Sequence, residues 1–123
     1  MIRILVVEDD EMLREILAVR LSLHDYDVAV TDNGQDAVHM AQADKLDVIL
    51  MDMHLPVLTG WEAVRLLKSA PETASIPVIA LTAHSLTDDR EKSLAAGCDD
   101  HESKPVNFDR LLRKIKQLIS SSQ

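Results

Sequence analysis

Residues 47–60 read DVILMDMHLPVLTG, and this stretch decides the fold. It opens with an apolar run at 48–51 and then places a carboxylate, Asp52, directly after the run. A short unbroken apolar run is typical of a strand that helices cover on both faces. Thr59, followed three residues later by Glu62, resembles a capping box at a helix start. The stretch therefore predicts a buried strand, an acidic residue at its carboxyl end and a following helix.

Four further segments read as strands, and helical patterns separate them. Residues 2–7 and 78–81 are also nearly unbroken apolar runs, whereas 27–31 alternates and 99–103 is polar. The apolar runs belong in the middle of a sheet and the other two at its edges. Helical stripes are clearest in the first and last helices: Leu13, Ile16, Leu17 and Leu21, then Phe108, Leu111, Leu112, Ile115, Leu118 and Ile119.

This alternation predicts an α/β fold: a flavodoxin-like, doubly wound parallel sheet of five strands in the order 2-1-3-4-5, with five helices. We expect one domain over residues 1–120 and a disordered tail at 121–123. The helical segment at 86–96 offers few apolar side chains for burial, so we expect it to be the most loosely held helix.

Composition limits the functions open to the chain. Its 123 residues include 13 Lys plus Arg against 21 Asp plus Glu, a formal net charge of −8, which argues against direct nucleic-acid binding. The sequence contains no run of about 18 apolar residues, so it predicts no membrane span. Cys98 is the single cysteine, so no intrachain disulfide can form, and we expect a reducing, cytoplasmic location.

Polar side chains follow the predicted strands at one edge of the sheet. Glu8, Asp9 and Asp10 follow the first strand, and Asp52, Thr82 and Lys104 follow the third, fourth and fifth. In such sheets ligands bind outside the carboxyl ends of the strands. Asp10 taken alone is better explained as a helix cap, but the joint pattern of acids, hydroxyl and ammonium predicts a site.

Phosphoryl transfer to a carboxylate is the chemistry that fits these side chains. Glu8, Asp9 and Asp52 would repel one another without a cation, and Mg²⁺ prefers such oxygen ligands. Asp52 would supply the nucleophilic oxygen. The ion and Lys104 would neutralise the transferred group, and Thr82 would donate a hydrogen bond to it.

The sequence resembles the response-regulator receiver family over nearly its whole length. The matching pieces are ILVVEDD at 4–10, DVILMDMHLPVLTG at 47–60, PVIALTA at 77–83 and KP at 104–105. The resemblance implies that Asp52 is the phosphoacceptor and that Thr82 and Lys104 are its conserved hydroxyl and lysine. It also implies a magnesium site formed by Asp9, by Glu8 through water, by Asp52 and by the backbone carbonyl of His54.

The same resemblance implies a signalling function. A sensor histidine kinase or a histidine phosphotransfer protein would supply the phosphoryl group. The face formed by the fourth helix, fifth strand and fifth helix would then change and bind a downstream protein. The chain would catalyse only its own phosphorylation and dephosphorylation and would not be an enzyme in the usual sense. It looks most similar to single-domain regulators and to receivers of hybrid kinases, since little chain follows the last helix; dimerisation on phosphorylation stays open.

Three histidines bear on the switch and on the lifetime of the signal. His101 stands where the family often has Tyr or Phe, so the expected switch pair, Thr82 and His101, lacks the usual aromatic ring. His54 and His84 stand two residues after Asp52 and Thr82. Their rings could activate the water that hydrolyses the acyl phosphate, or could shield it from water; we favour shielding.

Three other functions compete with this interpretation. An aspartate-based phosphatase of the haloacid-dehalogenase type needs a second Asp two residues after the first, and His54 is there instead. A nucleotide-binding module needs a Gly- or Thr-rich loop after the first strand, where residues 8–14 read EDDEMLR. A pseudo-receiver, acting only as a protein-interaction module, is the third alternative.

Overall fold

The structure, a computed structural model, describes residues 1–83 and 87–121. All five strands are parallel and lie in the order β2-β1-β3-β4-β5, which confirms the predicted sheet with its five helices. The elements along the chain are β1 (Arg3–Val7), α1 (Glu11–Ser22), β2 (Asp27–Thr31), α2 (Gly34–Ala43), β3 (Val48–Asp52), α3 (Gly60–Ser69), β4 (Val78–Thr82), α4 (Thr87–Ala96), β5 (Asp100–Ser103) and α5 (Phe108–Ser121).

Strand register brings the carboxyl ends of the strands to one edge. Val7 pairs with Met51, and Thr82 pairs with Ser103. β3 and β4 are each one residue longer than predicted, because Asp52 and Thr82 are their last residues. The loops that follow β1, β3, β4 and β5 therefore meet in one place.

The core lies on both faces of the sheet. Leu5 and Val7 of β1 belong to the cluster that includes side chains of α2, α3 and α4, whereas Ile4 and Val6 belong to the cluster that includes α1 and α5. Successive strand residues point to opposite faces, so a strand covered on both faces must be apolar throughout. This explains the unbroken apolar runs of the sequence.

Local signals account for the helix ends. The Asp10 side chain accepts hydrogen bonds from Met12 N and Leu13 N and so caps α1, which confirms its interpretation as a helix cap. Thr59 and Glu62 form a full capping box at α3. Gly97 has a φ of 109°, and the bonds Gly97 N–Leu94 O and Cys98 N–Ser93 O form a Schellman motif after α4.

Three expectations need correction or comment. Ile16, predicted on the buried stripe of α1, is 46% exposed. Glu102 in the polar edge strand β5 is buried, because α5 covers that side of the strand with Arg110 and Lys114. Residue 121 of the predicted tail belongs to α5, and residues 122 and 123 lie outside the described residues.

Candidate functional site

The three predicted carboxylates lie together at the carboxyl edge of the sheet. Glu8 follows β1, Asp9 follows Glu8, and Asp52 ends the adjacent strand β3. One carboxylate oxygen from each lies within 4.8 Å of the other two. Glu8 and Asp52 are buried, whereas Asp9 is exposed at the mouth of the site.

Backbone groups hold the two buried carboxylates in place. Glu8 Oε2 accepts from Asp10 N at 3.0 Å, and Asp52 Oδ1 accepts from His54 N at 3.0 Å. Arg14 Nη1 donates to the backbone carbonyl of Glu8 at 3.0 Å. The first turn of α1 and the loop after β3 thus fix the acids from outside the sheet.

Lys104 provides the positive charge of the site. Its Nζ lies 2.7 Å from Glu8 Oε1 and 3.4 Å from Asp52 Oδ2. Lys104 N donates to Thr82 O at 2.7 Å, and the Lys104–Pro105 peptide is cis. Burial lowers the pKa of the ammonium, but the contacts with Glu8 and Asp52 outweigh burial and raise it, so Lys104 stays charged.

The carboxylates do not all ionise easily at neutral pH. Burial raises the pKa of Glu8 to about 7, against the opposing effects of Lys104 and of the Asp10 N–H. Burial also acts against ionisation of Asp9, but hydrogen bonds with Asp52 and Glu8 outweigh it and lower the pKa. Carboxylates crowded together in this way form a site suited to a divalent cation.

The donor set fits Mg²⁺. Glu8 Oε1 is buried and, although it is close to Lys104 Nζ, has no hydrogen-bond partner of acceptable geometry among the described residues. Three carboxylates balanced by one ammonium leave excess negative charge, and a hard cation binds carboxylate oxygens of this kind. The roles of Glu8, Asp9, Asp52 and the His54 carbonyl as metal ligands stay predictions.

The two residues predicted as the switch are in direct contact. Thr82 is fully buried at the end of β4, and its Oγ1 lies 2.8 Å from His101 Nε2 on β5. Burial, together with the charges of Lys114 and Arg90, lowers the pKa of the imidazole, which stays neutral at physiological pH. His84, predicted to stand beside Thr82, lies outside the described residues.

A second charged cluster beside this switch was missed from the sequence. Glu102, next to His101 on β5, accepts from Arg110 Nε and Nη2 and from Lys114 Nζ. Lys114 Nζ also donates to the backbone carbonyl of His101. Arg110 and Lys114 are one helical turn apart, and this spacing predicts that they share a face of the last helix. It does not identify the strand that this face contacts.

Comparisons with known proteins agree with the geometry of the site. The sequence model of the response regulator receiver domain matches residues 4–116. The chain belongs to the response regulator receiver family. The receiver is 33% identical to the polar-differentiation response regulator DivK of Brucella anthropi, over 97% of both chains. Several other curated relatives are longer, and the receiver spans about half of their length.

Solved structures of receivers are similar to it in fold. The receiver domain of the sensor histidine kinase PA1611 from Pseudomonas aeruginosa, solved with a magnesium ion in its active-site cleft, is 36% identical and has a TM-score of 0.90, with 96% of this chain and 97% of that one covered. The receiver domain of Saccharomyces cerevisiae Ssk1, solved with the histidine phosphotransfer protein Ypd1, is 33% identical and has a TM-score of 0.89, with 95% and 88% covered.

The residue two positions after Asp52 bears on the phosphatase alternative. His54 follows Asp52 by two residues, where a phosphatase of the haloacid-dehalogenase type needs an acid. Among the helices of residues 1–83 and 87–121, none has the length and apolar content needed to cross a membrane.

Proposed function

We propose that this receiver accepts a phosphoryl group on Asp52, with Mg²⁺ bound beside it, and signals by changing a partner-binding face. The observation that carries the proposal is the arrangement around Asp52. Its carboxylate is buried at the end of β3, within reach of Glu8 and Asp9, and its Oδ2 is 3.4 Å from the Lys104 ammonium.

The residues of the site divide the chemistry among themselves. Asp52 attacks the phosphorus of a phosphohistidine; a P–O bond forms, and the P–N bond to the donor imidazole breaks. Asp9, Asp52, the His54 carbonyl and, through water, Glu8 would hold Mg²⁺, which when bound neutralises phosphoryl oxygens. Lys104 contacts a phosphoryl oxygen from the other side, and the Thr82 hydroxyl donates to another.

The phosphoryl donor is a sensor histidine kinase or a histidine phosphotransfer protein, and the recipient of the signal is another protein. The receivers of PA1611 and Ssk1 support this proposal, since one belongs to a histidine kinase and the other was solved with a phosphotransfer protein. The output face is formed by α4, β5 and α5, and a homodimer through α4 and α5 is one form of output. The net charge of −8 argues against direct nucleic-acid binding, and we place the protein in the cytoplasm.

Intact-mass measurement tests this function directly. With Mg²⁺ and acetyl phosphate, the wild-type chain should gain one phosphoryl group and Asp52→Asn should gain none. Lys104→Ala should still bind Mg²⁺ but respond poorly to phosphorylation, because the charge contact to the phosphoryl group is lost. Equal labelling of Asp52→Asn would contradict the acceptor assignment.

The same experiment separates the alternative functions. A pseudo-receiver would gain no phosphoryl group under any of these conditions. A phosphatase would also hydrolyse an unactivated phosphate monoester such as p-nitrophenyl phosphate, whereas a receiver, which only catalyses its own phosphorylation and dephosphorylation, would release phosphate only from the activated donor.

A further inference from the structure

His54 links the end of β3 to α4 through its side chain. Its backbone N–H bonds to Asp52 Oδ1, and its Nε2 lies 3.5 Å from Asp89 Oδ2 on α4. The Asp89 side chain is only 17% exposed, and Oδ2 has no hydrogen-bond partner among the described residues. An enclosed carboxylate needs a polar neighbour, and the imidazole is the one at ion-pair distance in the described part of the chain.

Trp61 fixes the same imidazole from a second direction. The two rings meet edge to face, with centroids 5.0 Å apart and planes at 85°. Trp61 is itself tied to α4, because its Nε1 donates to Ser93 Oγ at 3.3 Å and Lys92 Nζ lies 4.0 Å above its ring. The His54 ring is therefore held between the first turn of α3 and α4.

We propose that Asp89 is a positioning residue for the loss of the phosphoryl group, on the basis of the proposed function of Asp52. Asp89 holds the His54 imidazole where it restricts the approach of water to the acyl phosphate. His54 is hydrogen-bonded to Asp52 Oδ1 through its backbone N–H, and its side chain is 40% exposed, whereas Asp52 is 2% exposed.

The contact with Asp89 takes up one of the two ring nitrogens and leaves base catalysis to the other. A general base must come within hydrogen-bond distance of the proton it removes. His54 Nε2 faces Asp89 on α4, so that nitrogen is directed to the helix and not to a water beside Asp52. A shielding ring acts by the volume it fills, so releasing it should speed the loss of the phosphoryl group, whereas releasing a base should slow it.

The reaction that the ring restricts is simple hydrolysis. The oxygen of water attacks phosphorus, and the bond from phosphorus to the Asp52 carboxylate oxygen breaks. Asp52 leaves as a carboxylate, inorganic phosphate forms, and a proton from water passes to solvent. Attack occurs roughly in line with the breaking bond, so a ring near that line slows it. The lifetime of the signal thereby depends on the position of α4.

A double-mutant cycle tests whether Asp89 acts through His54. The chain is phosphorylated with acetyl phosphate and Mg²⁺, the donor is removed, and loss of the phosphoryl group is followed by intact mass. Asp89→Ala should lose it about fivefold faster than wild type, a change of about 1 kcal/mol in the barrier. In a His54→Ala background, Asp89→Ala should cause no further change.

Three controls separate positioning from a general loosening of α4. Ser93→Ala removes the hydrogen bond from Trp61 Nε1 but keeps both the Trp61 ring and the Asp89 carboxylate beside the imidazole, so it should leave the rate within about twofold of wild type. Asp89→Glu keeps a carboxylate and should restore most of the lifetime. In the unphosphorylated chain, Asp89→Ala but not Ser93→Ala should shift the NMR resonances of the His54 ring.

Several results would overturn the inference. An unchanged or slower rate for Asp89→Ala, or the same acceleration in the His54→Ala background, would show that Asp89 does not position a shielding ring. A wild-type chain that takes up no phosphoryl group would overturn the proposed function, and the inference with it. The uptake and decay measurements distinguish these failures.

Discussion

Gly60, the first residue of α3, should not tolerate even the smallest side chain. A Cβ built on Gly60 would lie 2.3 Å from the backbone oxygen of Asp52, 2.5 Å from Met53 Cα and 2.8 Å from Met53 Cε. Gly60 N also donates to Met53 O at 3.0 Å, so α3 starts in direct backbone contact with the end of β3. Gly60→Ala therefore pushes the helix against the strand that carries Asp52, the proposed phosphoacceptor.

The size of the effect follows from these distances. Non-bonded carbon contacts need roughly 3.5 Å, so α3 or the end of β3 must move by about 1 Å. Neither can move easily, since β3 is buried and two of the three atoms belong to the backbone. Forced shifts in packed cores cost about 1–3 kcal/mol, and backbone contact puts Gly60→Ala at about 3 kcal/mol. For a domain of this size, the melting temperature should fall by roughly 10 °C.

Urea denaturation followed by far-UV circular dichroism measures this loss. Gly34→Ala at the start of α2 is the matched control, because its Cβ would meet one backbone oxygen, that of Leu58, at 2.9 Å. It should cost clearly less than Gly60→Ala. Phosphorylation of Gly60→Ala should also slow, since the Asp52 backbone is displaced. The reasoning fails if Gly60→Ala is as stable as wild type, or no less stable than Gly34→Ala.

Three further predictions concern other parts of the chain. Val57 has a φ of 68° and a fully exposed side chain, so its β-branched side chain strains the backbone there. Val57→Gly should relieve this strain and raise the free energy of unfolding, measured by urea denaturation, by about 1 kcal/mol; a loss of stability would contradict this. Burial raises the pKa of Glu102, but hydrogen bonds with Arg110 and Lys114 outweigh it and lower the pKa below 4.5. The stability that Glu102 contributes is thus present above pH 4.5 and lost as pH falls through the lower pKa of the folded state. Glu102→Gln should be less stable at pH 7 and converge with wild type in acid, and parallel pH curves would argue against the charge. Millimolar Mg²⁺ should raise the melting temperature of wild type and much less that of Asp9→Ala, and no effect on wild type would refute the metal site.

The contact between Thr82 and His101 bears on how the proposed switch would work. The Thr82 hydroxyl lies 2.8 Å from an imidazole nitrogen on β5, His101 Nε2. Lys114 and Glu102 hold the strand segment of His101 to α5. A movement of Thr82 toward a phosphoryl group would therefore pull directly on β5 and, through it, on α5.

Sequence alone predicted the sheet and the acids of the site. The apolar run at 48–51 identifies a doubly covered strand, and Asp52 directly after it stands at a carboxyl edge whatever the details of packing. The capping box at Thr59 and Glu62 is equally local. Such features depend on neighbours in the chain, so pattern and chemistry are enough to find them.

Only the tertiary structure decided which distant side chains meet. Glu102 looks like a solvated edge residue until α5 brings Arg110 across β5, and Asp89 looks like a surface acid until α4 brings it to His54. Ile16 fits the apolar stripe of α1 by spacing, yet it lies on the part of the helix that the sheet does not cover. Helical periodicity fixes which residues share a face but not the rotation of that face against its neighbour, and this rotation is set by packing across the whole domain.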